Sequence, residues 1–172
     1  MLVYLAMIDD PRDHSKFEKI YLMHRDFMLG VANAILHNEH DAEDAVHNAF
    51  MSVANNMSKI DEVDSSRTRG FLAVITERKA INIYNERKKH ASGELFEDVV
   101  GDYIDPVGDH DVRWAITKLP PRYREFILLK YFHGFTTKEC AEILEINPAT
   151  ASKLDQRAKQ KFMEICREEG IL

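Results

Sequence analysis

Between Thr136 and Phe162 the chain reads TTKECAEILEINPATASKLDQRAKQKF, and the short break Glu145-Ile146-Asn147-Pro148 leaves few ways to fold it. Proline has a fixed φ and no amide donor, so within a helix it suits the first turn. An asparagine just before it can accept a bond from an amide of that turn. Asn147 and Pro148 therefore open a helix, and Glu145 to Asn147 form a turn. Upstream, Thr136 and Glu139 have capping-box spacing, so a first helix begins near Thr137 with Cys140, Ala141, Ile143 and Leu144 as its apolar side. Two short helices joined by a tight turn make a helix-turn-helix. At 100° per residue, Ala151, Leu154, Ala158, Phe162 and Ile165 form one stripe of the second helix. Ala149, Ser152, Lys153, Gln156 and Gln160 fall opposite, with Arg157 beside them.

One face thus packs while the other is polar and rich in donors. Such a face suits a major groove, where Lys can donate to guanine and Gln can pair with adenine, while Lys159 and Lys161 can meet phosphates. Any amphipathic surface helix also has a polar side, so the rest of the chain has to decide between the two readings.

A length of 172 residues allows one ordinary domain or two small ones. The net charge of −6 argues against a nucleic-acid binder until its distribution is read: residues 1 to 92 sum to −2, 93 to 111 to −7 and 112 to 172 to +3. The middle piece, GELFEDVVGDYIDPVGDHD, holds seven acids, three glycines and Pro106, with no Lys or Arg. It lacks helical periodicity and reads as an acidic flexible linker between two domains. The opening MLVYLAMIDD is too short for a membrane span and lacks the basic flank of a secretion signal, so the expected location is the cytoplasm. Cys140 and Cys166 sit at packing positions outside any CxxC pair and are expected to be reduced structural thiols.

In residues 1 to 92, Ser15 and Glu18 have capping-box spacing, and Phe17, Ile20, Tyr21, His24, Phe27, Met28, Val31 and Ile35 follow at helical intervals. Asp41 is expected to cap a second helix lined by Ala45, Val46, Ala49, Phe50, Val53 and Met57, with Glu43 and Asp44 also near its positive end. After a polar loop from Ser58 to Ser66, a third helix is expected from about Arg69 to Lys89. It is apolar nearly all round from Phe71 to Ile75, then increasingly polar. Arg67 to Lys89 holds seven basic and two acidic residues, whereas Glu39 to Asp64 holds seven acidic and one basic. A charge run is also what a solvated face looks like. Two opposite faces side by side suit a basic protein partner on one and a DNA backbone on the other. In residues 112 to 172, Val112, Ala115, Ile116 and Leu119 begin a helix. Pro121 starts the next, in which Tyr123, Ile127 and Tyr131 recur every four residues, and Gly134 is a helix stop. With the opening pair this domain has four helices, and the fold class is all-α.

Three collinear blocks resemble the extracytoplasmic-function (ECF, group IV) sigma factors of bacterial RNA polymerase. DAEDAVHNAFMSV (Asp41 to Val53) is similar to region 2.2 of that family, RGFLAVITERKAINIYNERKK (Arg69 to Lys89) to regions 2.3 and 2.4, and Leu119 to Phe162 to region 4. The resemblance implies that Asp41, Glu43, Asp44, His47 and Asn48 dock on core RNA polymerase. Arg67, Arg69, Phe71, Arg78, Lys79, Asn82, Asn85, Arg87, Lys88 and Lys89 would serve the minus 10 promoter DNA, the loop before Arg69 catching a flipped base. Ala149, Thr150, Ser152, Lys153, Gln156, Arg157 and Gln160 would read the minus 35 element. It also implies an anti-sigma factor as a further partner, no membrane insertion and no cofactor. The chain departs from the family pattern at His47 and Asn48, Phe71, Arg78 and Asn82, at Glu145 where a turn glycine is usual, and at Leu154-Asp155.

His37, His40 and His47 lack the remaining ligands of a metal site, and no phosphate-binding glycine loop or nucleophile elbow is present, so an enzyme is not expected. The other readings are a stand-alone helix-turn-helix regulator on operator DNA and a purely protein-binding helical adaptor.

Overall fold

The structure is a computed structural model that describes residues 1–92 and 110–171, which form two compact units on either side of residues 93–109. The expected linker lies outside the described residues except for His110 and Asp111, which instead begin a helix. Among the described residues there is no strand, and no helix is long and apolar enough to cross a membrane.

The first unit is a bundle of α2 (Arg12–Leu36), α3 (Glu39–Ala54) and α4 (Ser66–Ser92), with a single-turn helix α1 (Leu2–Leu5) against α3. Phe17, Ile20, Met28, Val31 and Ile35 from α2 meet Ala45, Ala49, Phe50 and Val53 from α3 and Phe71, Leu72, Val74 and Ile75 from α4, all buried. Two starts differ from expectation. Helix α2 begins at Arg12 after Pro11, so Ser15 and Glu18 lie within it and make no cap; Asp10 accepts from the Arg12 amide instead. Helix α3 is capped by Asn38, whose Oδ1 accepts from the Asp41 amide at 3.0 Å, and Asp41 falls in the first turn. The chain reaches Asn38 through His37, whose φ of 48° closes α2 in a left-handed turn.

Helix α4 also starts early. Ser65 Oγ accepts from the Thr68 amide at 3.1 Å, which satisfies one first-turn donor. Arg67 and Arg69 therefore lie on the first turns of α4, not on a preceding loop. The segment before it contains a single 3₁₀ turn, Met57–Lys59, and is tied down from α2. Lys16 Nζ donates to the Ile60 carbonyl at 2.9 Å, and His24 Nε2 lies 2.9 Å from the Val63 carbonyl. Thr68 Oγ1 bonds the Glu62 carbonyl at 2.5 Å from the other side. The N-terminal residues, unexpectedly, join the core. Tyr4 is buried within 6 Å, ring centre to ring centre, of Phe17, Tyr21, His47 and Phe50, and its hydroxyl shares a 2.7 Å hydrogen bond with His47 Nδ1.

The second unit holds α5 (His110–Thr117), α6 (Pro121–Ile127) with a π-helical continuation Leu128–Phe132, α7 (Thr137–Ile143) and α8 (Pro148–Glu168). Pro121 and Pro148 both take the first helical turn, as expected, and Gly134, at φ 73°, ends the π segment. The π segment breaks the expected four-residue recurrence. Ile127 is buried, but Tyr131 is turned outward and is 46% exposed, while Phe126 and Leu129 are buried. Thr136 and Glu139 form the full capping box, with Glu139 Oε2 accepting from the Thr136 amide at 2.7 Å. Helix α7 ends in a Schellman arrangement: the Ile146 amide donates to the Ala141 carbonyl and the Glu145 amide to that of Glu142, with Glu145 at φ 54°. Burial pushes the Cys140 thiol under this turn up to about 12, so it stays protonated.

A left-handed residue with a side chain is strained relative to glycine by about 1 kcal/mol. Glu145→Gly is therefore expected to stabilise the second unit by roughly 0.5–1 kcal/mol, less whatever Glu145 contributes through its own side chain. Denaturant unfolding followed on this unit checks it; a loss of stability would show that the side chain outweighs the backbone strain.

Candidate nucleic-acid interface

The helix-turn-helix stands as its caps dictate. Asn147 Oδ1 accepts from the Thr150 amide at 2.8 Å, and α8 then runs without a break to Glu168. Ala151, Leu154, Ala158 and Ile165 are buried and Phe162 half-buried. Ala149, Ser152, Lys153, Gln156, Arg157 and Gln160 are all exposed, and Thr150 is partly so. The structure thus brings every residue expected to read the minus 35 element onto one face of α8. Ser152 Oγ donates back to the Pro148 carbonyl, and Gln160 Nε2 reaches Glu164 at 3.1 Å. Lys153, Gln156 and Arg157 are exposed on this face of α8 among the described residues.

One residue of α8 departs from this division. Asp155 is only 9% exposed and lies against the π segment. Tyr131 Oη donates to its Oδ1 at 2.7 Å, Lys130 Nζ bonds its Oδ2, and Lys159 Nζ is 4.0 Å from Oδ1. Lys130 also donates to Thr137 Oγ1 on α7 at 2.8 Å. The cluster therefore ties α8 to both preceding elements. Burial acts to raise the Asp155 carboxyl, but the bonds from Lys130 and Tyr131 outweigh it and hold the group below the usual range. Burial likewise acts to lower Lys130, and Asp155 outweighs it, raising that ammonium.

In the first unit, Glu43, Asp44, His47 and Asn48 share one exposed face of α3, because positions i, i+1, i+4 and i+5 fall together on a helix. Asp41 does not extend freely with them. Its side chain is 19% exposed and paired with Arg87 of α4. Glu43 lies 3.7 Å from Arg25 of α2. On α4, Arg78, Asn82, Asn85 and Lys89 fall in one stripe, with Asn82 and Lys89 exposed and Arg78 and Asn85 half-buried. Lys79 is half-buried, and Lys88 lies 5.1 Å over the Tyr84 ring. At the other end, Arg69 stacks 3.9 Å over the Phe27 ring and Arg67 is 3.6 Å from Asp61. Phe71 is not part of this surface. It has no exposed area and belongs to the core, so any effect it has on DNA passes through the packing of α4.

The profile of Sigma-70 region 2 matches residues 20–90, and that of Sigma-70, region 4 matches residues 110–162. This chain belongs to the ECF group of the sigma-70 family. Among curated relatives it is similar to the ECF RNA polymerase sigma factor SigM of Bacillus subtilis (strain 168), 24% identical over 84% of this chain and 91% of the relative. SigV of the same organism is 26% identical over 85% of this chain and 89% of its own length, and the ECF sigma factor SigW is 24% identical over 91% of each. Among solved structures, the co-crystal structure of the sigma factor RpoE in complex with the anti-sigma factor NepR from Bartonella quintana aligns at TM-score 0.49 and 19% identity, over 88% of this chain and 97% of that one. The two profiles fall on the two structural units in turn. The α2–α4 bundle is the region 2 unit of this sigma factor, and the α5–α8 unit is its region 4.

The Asp155 carboxyl fixes the sign of a pH effect on region 4. Its folded value lies below the unfolded one of about 3.9, so its contribution is complete above that pH and is lost as the pH falls through the lowered folded value. Removing the carboxylate leaves Lys130 without its main partner, so Asp155→Asn is expected to cost about 1–3 kcal/mol at neutral pH and to flatten the acid limb of stability. Unfolding of region 4 at pH 7 and pH 3 measures both; an equal loss at the two pH values would contradict the assignment.

Proposed function

We propose that this ECF sigma factor docks on core RNA polymerase through the exposed acidic face of α3, Glu43, Asp44, His47 and Asn48, with Asp41 at its edge. The polar end of α4 then meets promoter DNA at the minus 10 element, through Arg78, Lys79, Asn82, Asn85, Arg87, Lys88 and Lys89. Arg67 and Arg69 stand beside the pinned segment before α4, where an unpaired base would be received. Unstacking a base costs a few kcal/mol, which contacts at that segment must return. In region 4, α8 enters the major groove at the minus 35 element, and Lys153, Gln156 and Arg157 supply donors to base edges while Lys159 meets backbone. The observation that carries the reading is this arrangement of surfaces. One bundle bears an acidic and a basic face side by side, and the helix-turn-helix of the second unit has its outer residues exposed among the described residues.

Promoter specificity is conferred by contact and needs no chemistry of its own, so catalysis remains with the polymerase. The working compartment is the cytoplasm, where chromosome and polymerase meet. An anti-sigma factor is the regulator expected of this family. A stand-alone operator-binding regulator would use α8 but would leave the region 2 bundle without a task.

Reversing two exposed charges on α3 tests the docking step. Glu43→Lys with Asp44→Lys is expected to abolish association with core while helical content stays unchanged, because like charges then face a basic partner surface at a cost of roughly several kcal/mol. Co-purification of the folded double variant with core at wild-type levels would remove α3 from the interface.

A further inference from the structure

We propose that Asp155, held by Tyr131 and Lys130 of the π segment, is a positioning residue that sets the rotation of α8 about its own axis and so determines how strictly the minus 35 element is read. The proposal rests on the assignment of α8 as the minus 35 helix and concerns a residue that faces away from the groove.

The apolar stripe of α8, Ala151, Leu154, Ala158 and Ile165, decides which side faces inward but sets the rotation only coarsely. It begins with Ala151 and includes Ala158, small side chains that interlock weakly with neighbours, and hydrophobic burial is non-directional. Hydrogen bonds are directional. The two oxygens of Asp155 are engaged by two different donors, Tyr131 Oη on Oδ1 and Lys130 Nζ on Oδ2, and Lys130 is itself anchored on Thr137 of α7. A carboxylate held at both oxygens from two consecutive residues cannot swing without breaking one bond. Both donors belong to the π segment, so one element holds Asp155 through two bonds.

Small rotations matter at the opposite face. A helix surface lies about 5–6 Å from the axis, so a roll of roughly 10° moves its side chains by about 1 Å. That displacement is enough to spoil paired hydrogen bonds to a base edge, which tolerate only a few tenths of an ångström. The same cluster prepares the flank of the reading face. Two ammonium groups lie near the Tyr131 ring, Lys130 at 5.4 Å and Lys159 at 5.5 Å from its centre, and Lys159 is half-exposed on α8.

The test uses the full chain with core polymerase and a library of promoters varied at the minus 35 and minus 10 elements. Wild type is compared with Asp155→Asn and Tyr131→Phe, the latter removing only the hydroxyl that donates to Asp155. Both variants are expected to flatten discrimination among minus 35 sequences by at least about threefold, as loss of paired base contacts would, with discrimination at minus 10 unchanged. A residue that merely stabilised the fold would scale all promoters equally and leave the preferences as they were; that result overturns the proposal. If Asp155→Asn does not fold, Tyr131→Phe decides, and unchanged minus 35 preference in that variant overturns it. Lys153→Ala and Gln156→Ala are run alongside. If they leave minus 35 preference unchanged, the assignment of α8 fails and the proposal with it; if they alter it while the cluster variants do not, only the proposal fails.

Discussion

The region 2 bundle depends on the burial of the first half of α4. Phe71, Leu72, Val74 and Ile75, followed by Ala80 and Ile81, are sunk between α2 and α3, and each such side chain contributes about 1.5–3 kcal/mol when fully buried. Because the same helix continues into Asn82, Arg87 and Lys89, fixing its apolar half also fixes where its basic half emerges. The acidic face of α3 is set by the same packing, since Ala45, Val46, Ala49 and Phe50 occupy its other side. The acidic and basic surfaces thus share a single core and cannot move independently.

Electrostatics then limits what the free chain can do. Arg87, in the basic half of α4, is paired with Asp41 in the first turn of α3. Exposed ion pairs are worth roughly 0–1 kcal/mol, so this pair is easily exchanged for a better partner. On the proposed docking, a basic surface meeting α3 would compete for Asp41 and leave Arg87 available to a phosphate. The seven acids of residues 93 to 111 add to the repulsion of DNA by the isolated chain. Region 4 carries a net +3 against the −9 of the rest of the chain, and Asp155 pairs with Lys130 within it.

The features legible in the sequence were those set by neighbours along the chain. The Thr136–Glu139 box, the Asn147-Pro148 start and the apolar periods of α2, α3 and α8 depend on contacts within a turn or two and stand as read, except that α3 ends at Ala54 and Met57, expected on its apolar line, is buried from the 3₁₀ turn that follows. Caps with two nearby candidates were misplaced: Asn38 and not Asp41 caps α3, and Asp10 and not Ser15 serves α2, because several polar residues in a row fit the same rule. The π segment was not legible, and its bonds run from Lys130 and Tyr131 to Asp155, some 24 or 25 positions away. The same holds for Tyr4 on His47 and for Arg87 on Asp41, pairs that no local pattern announces. Asp155 sits at the edge of an apolar stripe, and only that misplacement hinted at a buried partner.

The central claim is that this chain reads a promoter as part of the polymerase and not by itself. A titration of a promoter fragment at two salt concentrations, with and without core RNA polymerase, measures it directly, because each phosphate contact changes the slope of log affinity against log salt by about 0.9. The account predicts weak, sequence-indifferent binding by the free protein, and tight promoter-specific binding with a steeper salt dependence than core alone once core is added. Tight, specific binding of the promoter fragment by the free protein would contradict it.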